Sequence, residues 1–169
     1  MDLPKRKPTR LNNYSYSNDG SYFITVCTKD KQKLLCDIVG FGACDEPKII
    51  LKSHGLIAEK YINLMNRKYN NLFIDKYVIM PNHIHFLFTI QNSENTNGSS
   101  QASNPTNEII PKFISLFKRY CNREYGDNIW QKSYNDHIIR GEKDYMEIWE
   151  YIDTNTYRWA VKSERKYEY

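Results

Sequence analysis

An α+β fold with one antiparallel sheet is what this chain predicts, on three observations. First, runs of β-branched and aromatic residues alternate with apolar stripes of helical period. Second, two of those runs, LFIDKYVIM (72–80) and HIHFLFTI (83–90), are separated by Pro81-Asn82 alone. Third, one more helical stripe follows the last short run. In order, this gives strand, helix, strand, strand, helix, strand and a further helix. A β-α-β-β-α-β series implies a ferredoxin-like sheet with its helices on one face, the other face open, and a C-terminal helix free to lie near it.

The elements justify themselves in turn. SYFITVCT (21–28) is rich in β-branched and aromatic residues and predicts a strand. From about Ile49 to Tyr69, Ile50, Ile57, Tyr61, Leu64 and Met65 follow a helical stripe, with His54 at its edge. Pro81 pushes Met80 into an extended conformation and Asn82 suits a turn, so the next two strands form a hairpin. QNSENTNGSSQASNPTN (91–107) has no aliphatic side chain except Ala102 and reads as a long flexible polar loop within a single domain, 1–169. Beyond it, Phe113, Leu116, Phe117, Tyr120 and Cys121 mark an amphipathic helix ending near Gly126. YNDHIIR (134–140) predicts a short strand. The stretch 142–160 predicts one helix with Tyr145, Ile148, Trp149, Ile152 and Trp159 along its buried stripe.

Composition excludes more than it selects. The 169 residues carry a formal charge of +4, a mild lean towards polyanions. That charge is clustered: Lys5, Arg6, Lys7 and Arg10; Lys112, Lys118, Arg119 and Arg123; and Arg158, Lys162, Arg165 and Lys166. Solvated faces are the plain reading of any one cluster, and three in one small domain weaken it. Cys27, Cys36, Cys44 and Cys121 have no C-x-x-C spacing, so neither a zinc ribbon nor a thioredoxin motif is indicated, and reduced thiols are expected. No apolar run is long enough for a membrane span, and the opening MDLPKRKPTR lacks the apolar stretch of a secretory signal. A cytoplasmic protein is the expectation.

The chemistry concentrates on His83 and His85. Strand side chains alternate, so Ile84, Phe86, Phe88 and Ile90 form one apolar face, and the two histidines point to the other. There two imidazoles can converge on one divalent metal. His-x-His alone is weak, and hydrogen-bonding roles are its commoner explanation. A hydrolytic H-x-H-x-D site would need a carboxylate where Leu87 stands, so a third ligand must come from elsewhere. Tyr151 and Asn155 are spaced i, i+4 on the predicted last helix, and Tyr151 lies roughly 110° from the centre of its buried stripe. By pattern it is no core aromatic. His137 is a third imidazole. Of the other tyrosines, Tyr145 falls on the core stripe and Tyr157 on the side away from Asn155, and pattern does not place Tyr134.

Joined in order, YVIMPNHIHFLF, FISLFKRY, IWQKSYNDHIIR, EKDY and WEYIDTN resemble the REP-associated tyrosine transposases, of the single-tyrosine HUH (His-hydrophobic-His) superfamily. The resemblance covers about Tyr22 to Trp159. It implies that His83 and His85 bind a divalent metal, Mg²⁺ or Mn²⁺, with Asn155, and that Tyr151 is the nucleophile; Tyr134, Tyr145 and Tyr157 are its rivals, and His137 reads as structural or DNA-contacting rather than as a ligand. It also implies single-stranded DNA with a palindromic hairpin as partner, a 5′-phosphotyrosine intermediate, and action as monomer or homodimer. Thr156 departs from the proline usual after that asparagine, and the loop at 91–107 is longer than expected.

A phenol titrates at about 10 and is a poor nucleophile at neutral pH unless assisted, so a metal that orients the scissile phosphate towards Tyr151 suits this donor set. The basic residues Lys5, Arg6, Lys7, Arg10, Lys112, Lys118, Arg119 and Arg123, with His137 and Arg140, are the expected DNA contacts. Two rival readings stay open: a non-catalytic nucleic-acid-binding module, and a nuclease in which activated water attacks.

Overall fold

The computed structural model describes residues 17–40, 46–92 and 108–164. Lys5, Arg6, Lys7 and Arg10, Cys44 and most of the polar loop lie outside them. Strands β1 (Gly20–Cys27), β4 (Leu72–Met80), β5 (His83–Ile90) and β6 (Asn135–Ile138) form one antiparallel sheet in the order β4-β5-β1-β6. A second hairpin, β2 (Cys36–Val39) with β3 (Lys48–Leu51), stands between β1 and the first helix. Helices α1 (Ser53–Asn66) and α2 (Ile109–Tyr125) follow β3 and β5, and α3 (Glu142–Asp153) and α4 (Asn155–Glu164) follow β6. Setting the second hairpin aside, this is the ferredoxin-like topology that the order of elements implies.

The core lies between the sheet and the pair α1 and α2. Tyr22, Ile24 and Val26 of β1 and Ile84, Phe86, Phe88 and Ile90 of β5 point into it. Phe113 and Phe117 of α2 meet Phe86 at 6.4 and 5.8 Å between ring centres, and Phe113 meets Phe88 at 5.1 Å. Each such ring removed from water contributes about 1.5–3 kcal/mol, so this face carries the stability. Pro111 stands in the first turn of α2, where its missing N–H costs nothing. Gly126 ends the helix at φ 78°, a left-handed cap that a side chain would strain.

Two expectations need correction. Residues 49–51 are strand, not helix: Ile49 and Ile50 are β-branched and pair with Ile38 and Asp37, a long-range choice that periodicity does not see. Helix α1 starts only at Ser53, and it buries Gly55, Ala58, Ile62 and Met65. Ile50 and Leu64, placed on its inner stripe by pattern, are 56% and 44% exposed. The true stripe begins with the small Gly55 and Ala58, which let the helix approach closely, and continues with Ile62 and Met65. The stretch 142–160 is likewise two helices. The chain leaves α-geometry at Thr154 (φ −86°, ψ 1°), whose hydroxyl donates to the Glu150 carbonyl at 2.8 Å. Of the predicted stripe in α3, only Ile152 is fully buried.

Candidate active site

The site begins with the pleat of β5. His83 and His85 sit on the face opposite Phe86 and Phe88, and across the ladder they pair with Cys27 and Thr25 of β1. Their Nε2 atoms face each other at 3.0 Å. The outer nitrogens are held as well: His83 Nδ1 lies 2.7 Å from Asn82 Oδ1, and His85 Nδ1 lies 2.8 Å from Thr25 Oγ1.

The protons on this chain can be assigned from one end. Asn82 Nδ2 donates to the Lys31 carbonyl at 3.2 Å, so its Oδ1 faces His83 as an acceptor. His83 therefore carries its hydrogen on Nδ1 and offers a lone pair at Nε2. His85 Nε2–H then donates to that lone pair, and the Thr25 hydroxyl donates to His85 Nδ1. Both rings are neutral at physiological pH. Burial, and then the nearby Lys31 charge, push His83 down to about 4. Burial, and then His83, push His85 down to about 3.

The face is not open, as the sequence suggested, but roofed by α3 and α4. His85 is 5% exposed and Leu87 is fully buried. Three contacts fix the roof to the sheet. Tyr145 OH donates to Asp75 Oδ2 at 3.1 Å, where a bulge between Ile74 and Lys76 re-aims β4. Lys76 pairs with Asp153 at 2.6 Å and lies 4.2 Å over the Trp149 ring. His137 of β6 pairs with Asp144 at 2.9 Å, and the same carboxylate accepts the Arg140 backbone N–H at 2.8 Å.

So held, the roof brings the proposed nucleophile to the histidines. The Tyr151 ring stands 5.4 Å from His85 and edge-on to Phe23 at 5.9 Å. Eight residues on, Trp159 stands 6.0 Å from His83. Asn155 lies midway between them in sequence, at the first position of α4, and is 6% exposed. Tyr151 and Trp159 thus stand against the two histidines, with Asn155 buried between them in sequence.

A divalent cation suits this donor set. Two ligands at right angles about 2.1 Å from an ion are about 3 Å apart, which is the separation of the two Nε2 atoms. Neutral imidazoles with their outer nitrogens hydrogen-bonded are the form that ligates, once His85 moves its hydrogen from Nε2 to Nδ1. Among the described residues no group of three His, Cys, Asp or Glu could hold a metal, and Asn155 is a buried amide of the helix that follows Tyr151.

The remaining expected residues fall elsewhere. Tyr134 is buried in the core on the far side of the sheet, and Tyr157 is 56% exposed. Tyr145 is engaged by Asp75, and burial pushes its phenol up to about 12. Lys112, Lys118, Arg119 and Arg123 belong to α2, across the sheet from the histidines. Lys118 donates to the Gln131 and Ser133 carbonyls, and Arg119 and Arg123 cover the Tyr120 ring. His137 serves α3 through Asp144, and exposed Arg140 starts the same turn.

Sequence reasoning missed Thr25, Asn82 and Arg158. The Arg158 guanidinium lies 5.4 Å over the Tyr151 ring and donates to Thr154 Oγ1 at 3.1 Å. Its i+7 spacing from Tyr151 was a signal that could have found it.

No family model matches the chain. It is 31% identical over 170 residues to an uncharacterized protein of Haemophilus influenzae, covering 91% of this chain and 89% of that one. Its fold is similar to that of the REP-associated tyrosine transposase solved bound to a REP hairpin, with a TM-score of 0.58 and 21% identity over 88% of this chain and 73% of that one. The chain therefore belongs to one family with the Haemophilus protein, and its fold is that of the REP-associated tyrosine transposase.

Proposed function

We propose that the protein nicks and rejoins single-stranded DNA through a covalent bond to Tyr151, on strands that carry a palindromic hairpin. The observation that supports this most is the meeting of Tyr151 with the histidine pair under a fixed roof. Among the described residues no helix is long and apolar enough to cross a membrane.

His83, His85 and Asn155 would hold a divalent cation, Mg²⁺ or Mn²⁺. When bound, it supplies a Lewis acid for a phosphodiester oxygen and screens the charge that the nucleophile approaches. The chain's own residues do the rest. Phe23 and the Asp75–Tyr145 and His137–Asp144 contacts hold α3 so that the phenol faces the site. Arg158 holds a cation over the Tyr151 ring, where it would meet the charge of an incoming phosphate. In the step itself, the Tyr151 phenol oxygen bonds to phosphorus and the bond from phosphorus to the 3′ oxygen breaks. The phenol proton passes to solvent, and the departing 3′ oxygen takes one up. A 5′-phosphotyrosine and a 3′-OH remain, one ester exchanged for another, so a second 3′-OH can reverse the step without ATP.

The test is a labelled hairpin with single-stranded flanks, incubated with the protein and Mg²⁺ and run on a denaturing gel. The expected result is a protein–DNA adduct that disappears in Tyr151→Phe. Cleaved product without an adduct would assign attack to water instead. Unchanged DNA, with binding retained in Tyr151→Phe, would assign the chain to the non-catalytic binders.

A further inference from the structure

The corner beside His83 carries cations that the mechanism does not use. Between β1 and β2, residues 29–33 read Lys-Asp-Lys-Gln-Lys, all exposed. Asp30 and Lys31 both lie at φ 53°, two consecutive side-chain-bearing residues in left-handed backbone. Such backbone is costly and persists only where the surroundings hold it. Here the Lys31 N–H donates to the Thr28 carbonyl at 3.2 Å, Thr28 Oγ1 donates to the Gln32 carbonyl at 2.8 Å, and Asn82 Nδ2 donates to the Lys31 carbonyl. The amide that orients His83 is therefore the one that fixes this loop.

The loop's ammonium groups are available. Among the described residues, Lys52, Lys60, Lys76 and Lys143 have carboxylate partners, and no such pair involves Lys29, Lys31 or Lys33. Lys31 is close enough for its charge to reach both His83 and Cys27. Lys33 Nζ instead lies 5.9 Å over the indole of Trp159, and that indole stands 6.0 Å from His83. The half-buried Trp159 ring thus stands between Lys33 and His83.

We propose that this corner is a binding site for single-stranded nucleic acid, with one base stacked on Trp159 and the adjoining phosphates on Lys31 and Lys33. An exposed ammonium over an indole is a weak contact, and a base presents far more surface to the same ring. The base displaces Lys33, whose ammonium is then in place for the phosphate beside it. The inference rests on the reading of the site as one that acts on single strands. It adds the direction from which the strand enters: past the 29–33 loop, over Trp159, to His83 and Tyr151.

The experiment is fluorescence anisotropy of a labelled single-stranded 15-mer with the full chain in EDTA, across a salt series, for the unaltered protein, a Lys31→Ala/Lys33→Ala double variant and Trp159→Leu. Two lost phosphate contacts should weaken binding and lower the slope of log K against log salt by about 1.4, at about 0.7 for each single-strand contact. Trp159→Leu should weaken binding with the slope unchanged, a separation that general unfolding would not produce. Equal affinity and slope in all three proteins overturns the proposal, even if the Tyr151 adduct forms. Binding that depends on the lysines and Trp159 but yields no adduct keeps the corner and removes the nucleophile. No binding by the unaltered chain overturns the proposal, and the adduct on the hairpin in Mg²⁺ then decides the nicking reading by itself.

Discussion

Thr25 stands to His85 as Asn82 stands to His83. Each holds the outer ring nitrogen at 2.7–2.8 Å and so aims the inner one. The two would differ in what the proposed cation asks of them. His83 already offers a lone pair at Nε2, whereas His85 must shift its hydrogen to Nδ1, where the Thr25 oxygen accepts it. Thr25→Val keeps the shape and removes that acceptor. We expect it to lower Mn²⁺ affinity by about 10–100-fold, the usual effect of losing such an outer contact, in isothermal titration with an unchanged circular dichroism spectrum. Unchanged affinity would remove Thr25 from the site. The histidines themselves were legible in the sequence because alternation along one strand is local. Thr25 was not, since it lies 60 residues away and only the β1–β5 register brings it opposite His85.

At the scale of elements, the decisive one is α3, whose N-terminal turn is held by Asp144. That carboxylate accepts the Arg140 N–H and pairs with His137, and these contacts hold it below its ordinary value of 3.8. Its folded form thus favours the charged state, so its stabilisation is fully present above 3.8 and fades as pH falls through the lower folded value. Asp144→Ala should cost about 1 kcal/mol at neutral pH, as for loss of a helix cap. In urea denaturation the gap between the two proteins should close at acid pH and stay open at pH 7; a gap that is constant with pH would assign the loss to packing. Helix α2 was legible because its stripe is long and ends at Gly126. The break at Thr154 was not, because 142–160 contains neither Gly nor Pro and its apolar stripe runs across the join.

The whole molecule divides its labour between the two faces of one sheet: aromatic packing on one, histidines and tyrosine on the other. The ferredoxin-like order was legible because strand and helix periods alternate cleanly. The β2–β3 hairpin was not, since its strands are short and pair only with each other. That hairpin nevertheless connects the two faces. Leu35 donates its N–H to the Pro81 carbonyl at 3.0 Å and accepts the Lys52 N–H at 2.9 Å, so it is stapled between the β4–β5 turn and the start of α1. A methyl group on Gly55 would run into the Leu35 carbonyl, which is backbone and cannot swing aside. Relief must move Leu35 and with it Pro81 and Asn82, the residue that aims His83. Gly55→Ala should therefore lose about 1–3 kcal/mol, as overpacking does, and also bind Mn²⁺ more weakly. Phe117→Ala should lose more, about 3–5 kcal/mol, yet leave Mn²⁺ affinity of the folded protein unchanged, because its ring touches only the far face. Thermal unfolding and metal titration on both variants separate the cases: the larger loss of stability should fall on the protein with the intact site, and the reverse ranking would mean that the turn at Asn82 is not fixed through Leu35.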